Sequence, residues 1–373
     1  MRERAATTRP RVLHFVTGGF SGATQVAVDL VSAHRASGRF DARLVLRRKR
    51  NTSDERVQKL RDGGIDVDVV AGWSHAATVW QLRRICLDFR PDIVVAHGFS
   101  DHLWGRFAAL WAGVPCLVHV EHNSRERYTR WRLAQALWLT ERTAAIVGCS
   151  EGVRQSLQDR GFPADKLLAI SNGIRPEPYL QEPPPLLQRR PDIVMAARFA
   201  RQKDHATLLR ALAVLRQRGL KPTLTLAGGG KARAQQAAQR LSAELGLQDQ
   251  VQFIGICNDV PGLLRAHRVC VLSTHYEGMP LSLLEGMAAG CVVVGSRVVG
   301  VQEVVRPGDN GLLAAHADPE SLADALQQAL QDDEAAVRMA ATARQEALSH
   351  YSLQRMTGQY EDLFARLLQG ERP

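Results

Sequence analysis

Two short apolar runs, residues 269–272 and 292–294, bracket a glycine loop and a stretch of helical length. That spacing confines this part of the chain to a strand–loop–helix–strand unit. Pro280 suits the first helical turn, where its missing N–H would have no partner. Gly290 stands where the helix has to end. The run Gly278-Met279-Pro280-Leu281-Ser282 therefore brings the backbone N–H groups of its four non-proline residues to a helix N-terminus, a ready site for an anion. Glu277 precedes that N-terminus, and Glu285 lies one to two turns inside the helix. By themselves such units are common scaffold, and a helical glutamate is often simply paired.

The same alternation recurs along the chain. In the first half, strands are expected at 11–17, 43–46, 67–70, 93–96, 116–120, 145–148 and 168–170, and helices at 23–37, 81–90 and 101–112 and from Ser150 onward. His97-Gly98-Phe99-Ser100 follows the fourth strand, and Glu121-His122-Asn123 follows the fifth. Ligands of open α/β sheets bind beyond the carboxyl ends of strands. Gly18, Gly19 and Gly22 form a loop after the first strand, and their spacing is not that of a dinucleotide fingerprint. In the second half, strands are expected at 193–196, 224–227 and 251–254, with a charged helical tail over 318–370. Gly228-Gly229-Gly230-Lys231 is followed by Ala232, so it is no Walker A loop. Alternation of this kind builds doubly wound parallel sheets. The proline-rich stretch 176–191 reads as a linker between a domain over 1–175 and a second over 192–350, followed by a terminal helix over 351–373.

The chain carries 45% hydrophobic residues and a net charge of +10. Lys and Arg exceed Asp and Glu by nine in residues 1–180 and by one in the remainder. A basic first half points to an anionic partner such as a membrane face or a lipid phosphate. Residues 124–139 interleave Arg125, Arg127, Arg130 and Arg132 with Tyr128, Trp131 and Trp138. As a helix this segment either lies in a bilayer interface or packs its apolar face on the sheet. The basic run Arg47-Arg48-Lys49-Arg50 is expected to add to that surface. No apolar run is long enough to span a bilayer, and the N-terminus has no apolar signal core. Six scattered cysteines without a Cys-x-x-Cys pair read as core thiols of a reducing cytoplasm.

The segment from Glu277 to Glu285, with its Gly-Met-Pro and the Ala-Ala-Gly-Cys-Val-Val-Val continuation, resembles the donor-sugar signature of retaining glycosyltransferases of family 4. The resemblance covers roughly residues 10–365 and is most specific over 194–305. It implies the GT-B fold, two Rossmann-like domains facing a cleft, with the terminal helix packing back on the first domain. It further implies that Glu277 faces the transferred sugar and Glu285 binds a nucleotide ribose. His122 resembles the family's strand-end histidine near the reacting centre, and Gly19 its loop near the donor phosphate. His97, Asn123 and Asn172 are acceptor-side candidates. Arg198 and Lys203 keep the spacing of the family's diphosphate-gripping pair, although Ala197 and Asp204 replace two of its glycines.

The implied activity is retaining transfer of a sugar from a UDP- or GDP-sugar to a glycan or glycolipid acceptor of cell-surface polysaccharide assembly. The enzyme would act in the cytoplasm, with peripheral contact with an anionic membrane, no cofactor and no nucleic acid partner. No metal is expected, because Asp66-Val67-Asp68 has the spelling of a metal-binding pair but reads as the start of a strand. A nucleotide-sugar epimerase shares the architecture, but Glu277, Glu285 and the Arg198/Lys203 pair favour transfer. An oxidoreductase would need the glycine spacing that both loops lack. A non-enzymatic anion- or nucleic-acid-binding protein would explain the charge, but not the regular α/β repeat.

Overall fold

The computed structural model describes residues 9–50, 52–98, 101–125 and 128–373. Phe99, Ser100 and Arg127 lie outside the described residues. The chain forms two units, one of residues up to Asn172 together with Leu353–Pro373, the other Gly173–Ser352.

The first unit runs β1 (Arg11–Thr17), α1 (Gly22–Ser37), β2 (Asp41–Arg47), α2 (Asp54–Asp62), β3 (Val67–Val70), α3 (His75–Phe89), β4 (Ile93–His97), α4 (Asp101–Trp111), β5 (Cys116–Glu121), α5 (Arg130–Thr140), β6 (Ala145–Gly148), α6 (Glu151–Gln158) and β7 (Leu167–Ala169). Its sheet has the order β3-β2-β1-β4-β5-β6-β7, and every pairing is parallel. Every residue of β4 and β5 is buried. Helices cover both faces of such a sheet, so its central strands read as unbroken apolar runs rather than alternating ones. The order reverses between β1 and β4; Gly19 follows β1, His97 ends β4 and His122 follows the next strand, β5.

The second unit runs β8 (Arg190–Ala196), α7 (His205–Gln217), β9 (Leu224–Ala227), α8 (Ala232–Glu244), β10 (Val251–Gly255), α9 (Val260–Ala266), β11 (His267–Leu272), α10 (Leu281–Ala288), β12 (Val292–Ser296), α11 (Val299–Gln302), β13 (Leu312–Ala314), α12 (Pro319–Gln331) and α13 (Asp333–His350). Its sheet, β10-β9-β8-β11-β12-β13, is also parallel throughout. Here the switch point lies between β8 and β11. The last helix, α14 (Leu353–Leu368), belongs to the first unit. Its Glu361 bonds His34, Ser37 and Arg39, and its Phe364 packs edge-on against Phe40.

Several local expectations are corrected. The stretch 176–191, read as a linker, lies within the second unit. Tyr179, Leu186 and Arg189 are buried, and Arg344 donates to the Tyr179 carbonyl at 2.9 Å. Prolines punctuate this stretch without keeping it off the second unit. Pro280 is the N-cap of α10, one residue before the first turn. The helix expected over 124–139 starts only at Arg130, because the Thr129 hydroxyl caps it by accepting from the Arg132 N–H. The two alternatives for this segment divide within α5. Ala136 and Leu139 are buried, while Trp131 and Trp138 are exposed. The basic run 47–50 is half neutralised, since Arg47 and Lys49 share buried Asp101 and Arg48 pairs with Asp54. All six cysteines are free, and five are buried.

Candidate active site

In the first unit, the β5 end is held by a buried carboxylate. Glu121 Oε1 accepts from the backbone N–H of His122 at 2.8 Å and of Asn123 at 3.3 Å, which turns the chain away from the sheet. Asn123 Oδ1 accepts from the Arg125 N–H, so this side chain helps to shape its own turn. The His122 ring lies against Gly98, where a Cβ would stand 3.2 Å from His122 Cδ2. Its Nε2 is 2.9 Å from His97 Nδ1, and His97 Nε2 is 3.0 Å from His14 Nδ1. His97 is fully buried and engaged through both nitrogens, so it has none to offer an acceptor. Burial, then the charge of neighbouring histidines, pushes His97 and His14 well below the ordinary histidine range. Burial takes His122 to about 4. At neutral pH all three rings are therefore uncharged.

Gly19 lies half-buried in the bend after β1. The close approach belongs to its neighbour Gly18, where a Cβ would come within 2.8 Å of the Arg47 carbonyl. Asn172 is buried at the end of the first unit's main segment.

Behind β5 lies a second buried cluster, which sequence reasoning missed. Arg106, fully buried, donates to His102 Nδ1 at 2.8 Å and to Thr143 Oγ1 at 3.1 Å. Burial lowers its guanidinium to about 10, and the charge of Glu121 opposes that fall. His102, His119 and Glu121 bring one possible metal-ligand atom each to within 4.8 Å of one another. The His102 and His119 rings are stacked with centroids 4.0 Å apart. His102 Nε2 meets the Tyr128 hydroxyl at 2.8 Å. An ion must lie in the plane of each imidazole that binds it, which stacked rings do not allow. Across this cluster the Arg106 guanidinium and the Glu121 carboxylate attract each other. Asp66 and Asp68 sit at the start of edge strand β3, where both pair with Arg43 at 2.8 and 3.4 Å.

In the second unit, the loops after β8 and β11 are stitched together. Lys203 and Thr274 form an antiparallel bridge, the Asp204 N–H donates to the Ser273 carbonyl, and the His275 N–H donates to the Gln202 carbonyl. This brings Lys203 Nζ to 2.5 Å from Glu277 Oε1, which also accepts from the Thr274 hydroxyl at 2.9 Å. Both side chains of the ion pair are nearly buried, at 13% and 9% exposure. Asp204 caps α7, accepting from the Thr207 N–H and hydroxyl. Neither Ala197 nor Asp204 has a positive φ, so here the loop does not need glycine at those positions. Arg198 is exposed.

No side chain caps α10. Gly278, Met279 and Pro280 are buried just before it, and Leu281 and Ser282 are half-buried in its first turn. Gly300 makes room for this loop, since a Cβ there would fall 2.1 Å from the Gly278 carbonyl oxygen. Glu285 is half-buried on α10. Its charge acts on the Tyr179 hydroxyl and the Cys270 thiol, adding to the burial that raises both. The candidates around Glu277 thus stand together at the carboxyl ends of β8 and β11, on both sides of the second switch point.

Comparison with known proteins agrees with this construction. The family described as Glycosyltransferase Family 4 matches residues 20–178, and Glycosyl transferases group 1 matches residues 180–346. A glycogen synthase of Mycobacterium tuberculosis is 27% identical over 310 residues, 78% of this chain and 73% of the relative. A lipopolysaccharide core biosynthesis glycosyltransferase of Rhizobium meliloti, LpsD, is 25% identical over 364 residues, 95% of this chain and 98% of the relative. The crystal structure of Anabaena HepE in complex with UDP and glucose superposes with a TM-score of 0.84 at 20% identity, covering 96% of this chain and all of that one. With two parallel α/β units and family matches over both, the chain is a glycosyltransferase of the GT-B fold and belongs to glycosyltransferase family 4, the glycosyl transferases group 1.

Proposed function

We propose that this enzyme transfers a sugar from a UDP- or GDP-sugar, with retention of anomeric configuration and without a metal, to a lipid-linked precursor of a cell-surface glycan. The observation that carries the reading is the gathering of Lys203, Glu277 and the uncapped N-terminus of α10 at one switch point. Lys203, Arg198 and the α10 N–H groups supply the positive charge that a departing nucleoside diphosphate needs. Glu277 holds hydroxyls of the transferred sugar, and Glu285 holds the ribose diol. His122 is a hydrogen-bond partner of the sugar. The anomeric carbon's bond to the donor phosphate oxygen breaks. Its bond to the acceptor oxygen forms on the same face, and the acceptor's hydroxyl proton passes to the leaving phosphate. UDP in the HepE structure supports uridine as the base.

The likeness to LpsD supports a lipopolysaccharide-type acceptor, and one face of the first unit supports peripheral attachment. Trp111 and Trp138 both pack on Phe107 and are 60% and 45% exposed. Trp131, seven residues before Trp138, lies on the same side of α5. Arg142 and Arg84 sit over the rings of Trp138 and Trp80. Among the described residues no helix is long and apolar enough to cross a membrane. Exposed Trp beside Arg suits an anionic bilayer interface. A soluble glucan acceptor is the second reading, favoured by the glycogen synthase likeness. Co-sedimentation with anionic vesicles at low salt, lost in Trp131→Ala/Trp138→Ala, separates the two.

Calorimetry with UDP tests the donor reading. Wild type should bind UDP, and Glu285→Gln should lose about 1–3 kcal/mol, the worth of hydrogen bonds to a charged group. Equal affinity in both proteins would remove Glu285 from the site.

A further inference from the structure

Four strand ends of the first unit bring charged side chains to one place on its carboxyl-end edge. Lys49 lies in the loop after β2, and His75 opens α3 after β3. Asp101 opens α4 after β4, and Arg132 stands in the first turn of α5 after β5. Ligands of open α/β sheets bind beyond such strand ends. The loops after β2 and β3 touch at Gly72, where a Cβ would overlap the Arg48 carbonyl. The His75 ring stacks on Trp104 of α4, with centroids 4.2 Å apart and planes tilted by 18°.

Hydrogen bonding decides what this cluster offers to a ligand. Arg47, nearly buried at the end of β2, is committed to protein. It pairs with Asp101, donates to His75 Nδ1 at 2.9 Å and donates to the Gly72 carbonyl at 3.4 Å. A guanidinium cannot accept, so His75 Nδ1 is bare and the neutral ring carries its proton on Nε2. Burial, then the charges of Arg47 and Arg132, lowers His75 and keeps it neutral. The residue itself is exposed. Lys49 Nζ lies 3.2 and 3.3 Å from the two Asp101 oxygens, with 34% of its side chain exposed. At least one of its three N–H groups is left for a ligand. Arg132 uses its backbone N–H in the α5 cap. Among the described residues its half-buried guanidinium pairs with no carboxylate.

Around His75, then, Arg47, Lys49 and Arg132 answer one carboxylate, Asp101, and leave a surplus of two positive charges. Arg48 beside them is balanced by Asp54. A carboxylate or a phosphodiester would meet only half of that surplus. A phosphate monoester, with about two negative charges near pH 8, meets it in full.

We propose that Lys49, Arg132 and His75 bind a phosphate monoester carried by the acceptor. That the phosphate belongs to the acceptor rests on the transferase reading above, whereas the site itself does not. Lys49 and Arg132 supply charged donors and His75 a neutral one. Arg47 stands behind them, adding charge and fixing the His75 proton on Nε2.

Calorimetry of the whole chain at about pH 8, saturated with UDP so that the nucleotide site is filled, tests this with methyl phosphate and dimethyl phosphate. Wild type should bind one methyl phosphate, and the singly charged diester about tenfold more weakly. Lys49→Gln and Arg132→Gln should each weaken methyl phosphate about tenfold to a hundredfold, the range for hydrogen bonds between charged groups. His75→Gln, which keeps a side-chain N–H, should bind it more tightly than His75→Ala. Thermal unfolding without ligand confirms that each variant folds. Absence of methyl phosphate binding, equal affinity in wild type and both charge variants, or equal affinity for the diester overturns the proposal. Release of the protein from phosphatidylglycerol vesicles by methyl phosphate, at matched ionic strength, would make this a lipid headgroup site and overturn it too. A wild type that binds methyl phosphate but not UDP would overturn the donor reading and leave this site standing.

Discussion

Lys203 and Glu277 are at once a charge pair and two candidate ligand contacts, and the two duties separate by mutation. Lys203→Ala leaves the nearly buried Glu277 carboxylate with the Thr274 hydroxyl in place of its cation. Breaking a buried pair from one side costs about 3–5 kcal/mol, and the slight exposure here argues for the lower end. Glu277→Gln keeps an acceptor for both donors and should cost less. Added to Lys203→Ala, it should recover part of the stability, because the carboxylate charge that Lys203 balanced is removed as well. Urea unfolding of the four proteins checks this, and strictly additive losses would mean that the pair is not coupled. In the sequence these two residues stand 74 positions apart. Their types and spacings marked them as candidates, but only the bridge between their loops shows that they bond to each other. His97 is the opposite case. The sequence placed it at a strand end, where an acceptor contact is a fair reading. Its partner His14 lies inside an apolar strand, and no spacing rule links the two.

At the scale of elements, α10 is fixed by what presses on its entry. Gly300, on α11, lies so close to Gly278 that the Cβ of Gly300→Ala would overlap the Gly278 carbonyl. Backbone cannot step aside as a flexible side chain can. Gly300→Ala should therefore cost about 1–3 kcal/mol of stability, as overpacking does. It should also displace the 277–279 loop and weaken UDP binding. Gly308→Ala, whose Cβ would meet nothing within 4 Å but sits at φ +78, should lower stability without touching UDP affinity. Equal UDP affinity in wild type and Gly300→Ala would show that this loop is not at the nucleotide. The strand–loop–helix–strand pattern over 269–294 was readable because strand, glycine and helix signals coincide there. Boundaries were less so. The start of α5 depends on one threonine cap, and the folding of 176–191 depends on Arg344 and Arg189, which lie outside any local pattern.

For the whole molecule, the first unit is unusual in how many neutral histidines it hides. His14, His97, His102 and His119 are held well below the ordinary range by burial, and His122 is near 4. The unfolded chain protonates these groups near pH 6.5, whereas the folded unit does not. Above about pH 7 both states are neutral and stability is level. As pH falls below about 6.5, the unfolded state binds more protons, and each such histidine removes up to about 1.4 kcal/mol per pH unit. For His122 the loss ends near pH 4. Urea midpoints should hold from pH 8 to 7 and drop steeply from pH 6.5 to 5. A flat profile to pH 5 would mean that these rings are not buried and neutral together. The two parallel sheets follow from the alternation of apolar runs with helices, which a sequence displays; their strand order does not. The histidine cluster does not, because it arises where β1, β4 and β5 become neighbours through crossovers.

A retaining transferase moves a sugar from its nucleoside diphosphate without inverting the anomeric carbon. The direct measurement is proton NMR of the product formed from a panel of UDP- and GDP-sugars, in EDTA, with lipid-linked acceptor or water accepting the sugar. One donor should be consumed, and its α-linked sugar should first appear as the α anomer. Appearance of the β anomer, or no turnover of any donor until a divalent metal is restored, would contradict the proposed function.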